Sequence, residues 1–130
     1  MRKMIAAAGG LVLAAALGTT AEACEIGAQD CPFPVEMKPG TDSVTLVHVF
    51  KESVECCYYS LAARAGQTLT WTFTGPAMSP VITDPGGDTD GPGILESIPL
   101  AQSGTYVLGF TPNLMADGAF GPFRATVTIK

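Results

Sequence analysis

The sequence predicts an all-β domain, an antiparallel sandwich of about seven short strands. Three observations carry this expectation. After Cys24 no long apolar pattern repeats every 3.6 residues, so no amphipathic helix is expected. Several short runs instead alternate apolar and polar residues, the period of a half-buried strand. Many of the fifteen glycines and ten prolines fall between those runs, where turns belong.

The clearest strand is Thr68-Leu69-Thr70-Trp71-Thr72-Phe73-Thr74, with Leu69, Trp71 and Phe73 on one face and four threonines on the other. The last segment repeats the pattern: Phe123, Ala125, Val127 and Ile129 face one way, and Arg124, Thr126, Thr128 and Lys130 the other. Tyr106, Leu108 and Phe110 make a third stripe, and Tyr59, Leu61 and Ala63 a fourth. Residues 44–50 are apolar almost throughout and predict a more buried strand. Residues 79–83 and 94–100 are the weaker candidates. Ala65-Gly66-Gln67 and Gln102-Ser103-Gly104 predict tight turns, in which Gly66 and Gly104 supply positive φ. Residues 84–93, rich in Asp, Gly and Pro, predict a long non-helical loop, and residues 111–122 a second one.

The N-terminus predicts export. Arg2 and Lys3 precede thirteen residues, Ile5 to Leu17, that are all Ala, Leu, Val, Ile or Gly, and Ala21-Glu22-Ala23 forms an A-x-A cleavage site. Thirteen apolar residues fall short of the roughly 20 that span a bilayer. Residues 1–23 are therefore expected to be a signal peptide, residues 24–40 an irregular arm with two cysteines and three prolines, and residues 41–130 the sandwich. A lipoprotein reading competes at Cys24, but Ala21 and Glu22 stand where such sites carry Leu and a small residue. Lipidation would also leave three cysteines, an odd set for an oxidising compartment. From Cys24 onward, five Lys and Arg face eleven acids, a net charge of −6. No basic cluster appears, so neither nucleic acid nor an anionic membrane surface is an expected partner.

Four cysteines, Cys24, Cys31, Cys56 and Cys57, allow three pairings. A Cys56–Cys57 bond would have to fit the ~3.8 Å Cα spacing of a trans peptide, below the usual ~4.4–6.8 Å. Two bonds from the arm to the strand are therefore favoured, although adjacent strand residues point to opposite faces, and the partner assignment stays open. A zinc site made of all four cysteines would need pairs separated by two to four residues, whereas this chain has a six-residue gap and no gap. No metal is expected there.

Residues 59–70 read Y-x-L-x-A-x-A-G-Q-x-L-T; Thr83-Asp84-Pro85-Gly86-Gly87 follows, then Ser103-Gly104-Thr105-Tyr106 leading into a strand. This arrangement, over about residues 54–130, resembles the bacterial pre-peptidase C-terminal domain, a jelly-roll-like β-sandwich appended to secreted proteases and also found alone. The resemblance implies a jelly-roll-like sandwich in an exported setting, with a binding or accessory role rather than catalysis. Ser103-Gly104-Thr105-Tyr106 is also similar to the Ser-Gly loop of small periplasmic lysozyme inhibitors, exported sandwiches of about this size.

Catalytic constellations are sparse. His48, the only histidine, sits between Val47 and Val49 and reads as a hydrogen-bonded or solvent-facing strand residue. No G-x-S-x-G elbow is present, and Ser43 makes no triad with it. Glu52, Glu55 and Glu96 carry no glycosidase motif. Asp84, Asp88 and Asp90 could offer oxygen ligands to calcium, but the EF-hand order is absent and the loop reads first as a solvated turn. Tyr58 is, by alternation, the best outward-facing aromatic. The expectation is a non-catalytic, cofactor-free module of the periplasm or extracellular space. Its ligand would be a polysaccharide, an envelope component or a secreted protein, met through Tyr58 or through Asp84, Asp88 and Asp90. The rival expectation is an inhibitor of a cell-wall-degrading enzyme, using the loops at residues 84–93 and 111–122.

Overall fold

The computed structural model describes residues 24–52 and 54–130; the predicted signal peptide lies outside them. Nine strands follow one another: β1 (Phe33–Pro34), β2 (Ser43–Phe50), β3 (Tyr58–Ala63), β4 (Thr68–Thr74), β5 (Met78–Thr83), β6 (Thr89–Asp90), β7 (Ser97–Pro99), β8 (Gly104–Pro112) and β9 (Gly121–Ile129). One sheet has the order β1-β3-β8-β5-β6 and the other β2-β9-β4-β7. All pairings are antiparallel except that of β1 with β3. The all-β antiparallel sandwich is as expected, and its seven expected strands are all present. β1 and β6, two residues each, escape sequence reasoning because a pair of residues carries no periodicity. Among the described residues no helix is long and apolar enough to cross a membrane.

The two inner faces meet in an aromatic core. Phe50, Phe73, Phe110 and Phe123 form a chain of ring contacts with centroids 4.7 to 6.5 Å apart. Trp71 closes on Phe110 edge-to-face at 5.6 Å, and its Nε1–H donates to the Leu95 carbonyl at 2.8 Å. Leu69 and Trp71 are buried and Phe73 half-buried, as the threonine alternation predicts. Burying each such side chain contributes ~1.5–3 kcal/mol.

β2 departs from expectation. Val44, Leu46, His48 and Phe50 face inward, while Val47 is 60% and Val49 38% exposed. The outward positions of its neighbours β9 and β4 are also mostly exposed, so this sheet covers the core with one face only and the apolar run has one buried side and one open one.

The expected arm-to-strand disulfides are not formed. Cys24 pairs with Cys31, and Cys56 with Cys57. The Cys56–Cys57 peptide is cis, with the two Cα atoms 3.0 Å apart, so the usual Cα range that argues against the pair does not hold for these adjacent residues. The arm is pinned by backbone instead. β1 pairs with Tyr59 and Ser60, the Val35 amide donates to the Ser60 carbonyl at 3.0 Å, and the Tyr58 amide donates to the Gly27 carbonyl at 2.9 Å. The arm is thus part of the sheet rather than an appendage to it.

Candidate functional site

Three connections converge at one end of the sandwich: residues 64–67 between β3 and β4, residues 84–88 between β5 and β6, and residues 100–103 between β7 and β8. The Gly66 amide donates to the Leu100 carbonyl and the Leu100 amide to the Gln67 carbonyl, both at 2.8 Å. The Ala65 amide donates to Ser103 Oγ at 2.9 Å. The Tyr106 hydroxyl closes the last connection on itself, donating to the Gln102 carbonyl at 2.7 Å and accepting from the Gln102 amide at 3.1 Å. Tyr106 is buried, so its ring anchors the turn while its oxygen holds it.

Asp84 ties the second connection to the third. Its Oδ1 accepts from the amides of Gly86 at 2.9 Å and Asp88 at 3.0 Å, and its Oδ2 accepts from Gln102 Nε2 at 2.9 Å. This is an Asx-type turn braced by a second loop. Gly104 has φ 142°, and a Cβ there would lie 2.8 Å from the Pro85 Cβ, so only glycine lets the two loops touch. Gly66 has φ 93°, the positive value its turn predicts.

Between these loops lies a pocket of about 260 Å³ whose lining includes Ile82, Asp84, Asp88, Asp90, Gln102 and Tyr106. The three aspartates singled out in the sequence therefore line one pocket. Both oxygens of Asp84 already serve donors of the loops, while Asp88 and Asp90 are exposed. Tyr58 does not join them. It lies half-buried on the outer face of the first sheet, over Gly109 and beside Val81, where a Cβ on Gly109 would meet its ring at 2.6 Å. Burial and then the nearby Glu55 charge raise its phenol pKa. The neighbouring Tyr59 is buried, which pushes its phenol up to about 12.

Gln102, Ser103 and the Tyr106 hydroxyl are the site residues whose role sequence reasoning missed. Ser103 reaches a partner 38 residues away and Gln102 one 18 residues away. No local pattern records such contacts.

Fold and site together define a small two-sheet β-sandwich that presents a rigid, polar, loop-built surface at one end. Solved structures of that class superpose on it. Aeromonas hydrophila PliG, a periplasmic lysozyme inhibitor of g-type lysozyme, matches with a TM-score of 0.63 and 24% identity over 82% of this chain and 98% of its own. Salmonella Typhimurium PliG matches with a TM-score of 0.61 and 22% identity over 76% of this chain and 97% of its own. A mutant of Escherichia coli PliG matches with a TM-score of 0.63 and 18% identity over the same shares. At these identities the likeness establishes the fold. No protein-family model and no curated relative matches the chain, so the pre-peptidase resemblance rests on its motifs alone.

Proposed function

We propose that this chain is an exported, non-catalytic inhibitor of a lysozyme, acting in the periplasm or outside the cell through its polar loop end. The observation that carries the reading is the superposition on PliG inhibitors over 97–98% of their length. Ser103-Gly104-Thr105-Tyr106, the motif similar to the lysozyme-inhibitor loop, lies at that end, with Ser103, Gly104 and Thr105 exposed and Tyr106 buried beneath them. Its connections are already ordered by the bonds of Ser103, Gln102 and Tyr106, so little conformational entropy remains to be lost on binding. The net charge of −6 after Cys24, with Asp88 and Asp90 exposed beside the loop, suits a cationic protein partner and would speed its encounter. Nothing comparable favours a polysaccharide platform, since Tyr58 lies against Gly109 rather than standing free.

The test is a titration of a g-type lysozyme with the purified, oxidised chain, following lysis of a cell-wall suspension. Loss of lysis that saturates near one chain per enzyme is expected, with a co-eluting complex in gel filtration. Full lysis at a ~10-fold molar excess, with no complex, would falsify the reading. Gly104→Val should weaken inhibition at least ~10-fold, because the new side chain drives the turn off Pro85. The chain itself should turn over no ester, peptide or glycoside.

A further inference from the structure

His48, Cys56 and Cys57 lie toward the other end of the sandwich and take no part in the loop site. His48 comes from β2 and the cysteines from the connection that leads into β3, so only folding brings them together. His48 Nδ1 is 3.6 Å from Cys57 Sγ and 3.9 Å from Cys56 Sγ, and the three ligand atoms lie within 4.8 Å of one another. Cys57 is fully buried and Cys56 nearly so, while the imidazole is half-buried, with the Phe33 ring 5.1 Å away.

These distances match a metal site. With Zn–S near 2.3 Å and Zn–N near 2.05 Å at tetrahedral angles, ligand nitrogen and sulfur should sit about 3.6 Å apart, and two sulfurs about 3.8 Å. The nitrogen–sulfur spacings are already in place. Only the bonded sulfurs must separate, and reduction allows that. We infer that the chain carries a redox-gated zinc site, closed while Cys56 and Cys57 are joined and formed by His48 Nδ1 and the two thiolates when they are not.

The chemistry balances with a dithiol reductant. It gives two electrons and two protons to the Cys56–Cys57 bond, leaves as its own disulfide, and yields two thiols. Zinc binding then releases both thiol protons. Two thiolates neutralise the divalent charge, which suits a buried position, and water completes the fourth position. The Val49 carbonyl, 3.2 Å from His48 Nδ1, competes for that nitrogen when it is protonated, so loading requires the Nε2–H tautomer. Cys56 lines an open groove of about 630 Å³ with Thr111, Leu114 and Phe120, a route by which reductant and cation can enter. Tyr59, whose buried hydroxyl has no partner among the described residues, lines a hollow beside Phe33 together with His48.

The test uses the full exported chain under anaerobic conditions, reduced with a phosphine and titrated with cobalt(II) as the spectroscopic stand-in for zinc. If reduction alone unfolds the chain, cobalt is added before the reductant. A thiolate-to-cobalt charge-transfer band saturating at one ion per chain is expected, lost when zinc is added and absent from the oxidised chain. Alkylation with peptide mapping should show zinc shielding Cys56 and Cys57 while Cys24 and Cys31 react. His48→Asn, with its fold checked by circular dichroism, should bind at least ~10-fold more weakly, the smallest loss expected even for an outer-sphere partner. No charge-transfer band, shielding of Cys24 and Cys31, or undiminished binding by His48→Asn would each overturn the inference.

Discussion

At the end of the sandwich that holds Asp84 and Ser103, the connections are tied by side chain-to-backbone hydrogen bonds. At the end that holds Cys56 and Leu114, they are tied by backbone-to-backbone hydrogen bonds: Cys57 and Phe110 exchange two at 2.9 Å, and the Asn113 amide donates to the Ala77 carbonyl at 3.0 Å. The first end is polar and braced across three loops. The second leaves Leu114 71% and Met115 95% exposed above an apolar groove. The contrast shows two ways to fix a loop without regular structure. Hydrogen bonds hold a surface in shape while leaving it wet enough to meet a polar partner. Burial keeps the Cys56–Cys57 disulfide out of solvent.

The largest effect should come from the core that both ends share. Trp71→Ala removes the indole that packs on Phe110 and bonds the Leu95 carbonyl, and should lower stability by about 3–5 kcal/mol in denaturant unfolding. An unchanged melting temperature would mean that the ends are held independently of the core. Next comes the arm. Cys24→Ser with Cys31→Ser opens a loop of sequence separation 7, short enough that the chain-entropy model assigns it roughly 2 kcal/mol. Because β1 and the Gly27 carbonyl also pin the arm, lysozyme inhibition should survive this change. Thiol titration of the denatured, unreduced parent should find no free thiol.

Asp84→Ala separates the two ends more finely. It deprives Gly86, Asp88 and Gln102 of their acceptor and should cost about 1–2 kcal/mol, since the site is partly solvated. Inhibition should fall at the same time, while the Cys56–Cys57 region keeps its resistance to alkylation. Inhibition unchanged by this variant would move the binding surface away from the loop end. The smallest effect is expected from Leu114→Ser, within about 0.5 kcal/mol, because so exposed a side chain contributes little to folding. A clear loss of inhibition there would reverse the assignment of the two ends.

The sequence by itself determined the sandwich and most of its strands. Alternation at period 2 is local, so Leu69, Trp71 and Phe73 declare their face without knowledge of any partner. Gly66 and Gly104 are legible for the same reason, because a turn that needs positive φ is specified by the residue that makes it. The Asp84 turn was legible as a turn, and the Ser103–Tyr106 motif as a loop leading into a strand. The tertiary structure alone decided what faces what. The alternation of β2 into buried and open faces depends on its sheet covering the core with one face only, a property of how the layers stack rather than of residues 43–50. The disulfides join Cys24 to Cys31 and Cys56 to Cys57, which the spacing argument did not foresee. The meeting of Gln102 with Asp84, of Ser103 with Ala65, and of His48 with Cys56 and Cys57 joins residues from separate strands and loops. Such contacts are set by how two sheets stack around Phe50, Phe110 and Phe123, and packing of that kind is written in the whole chain at once rather than in any stretch of it.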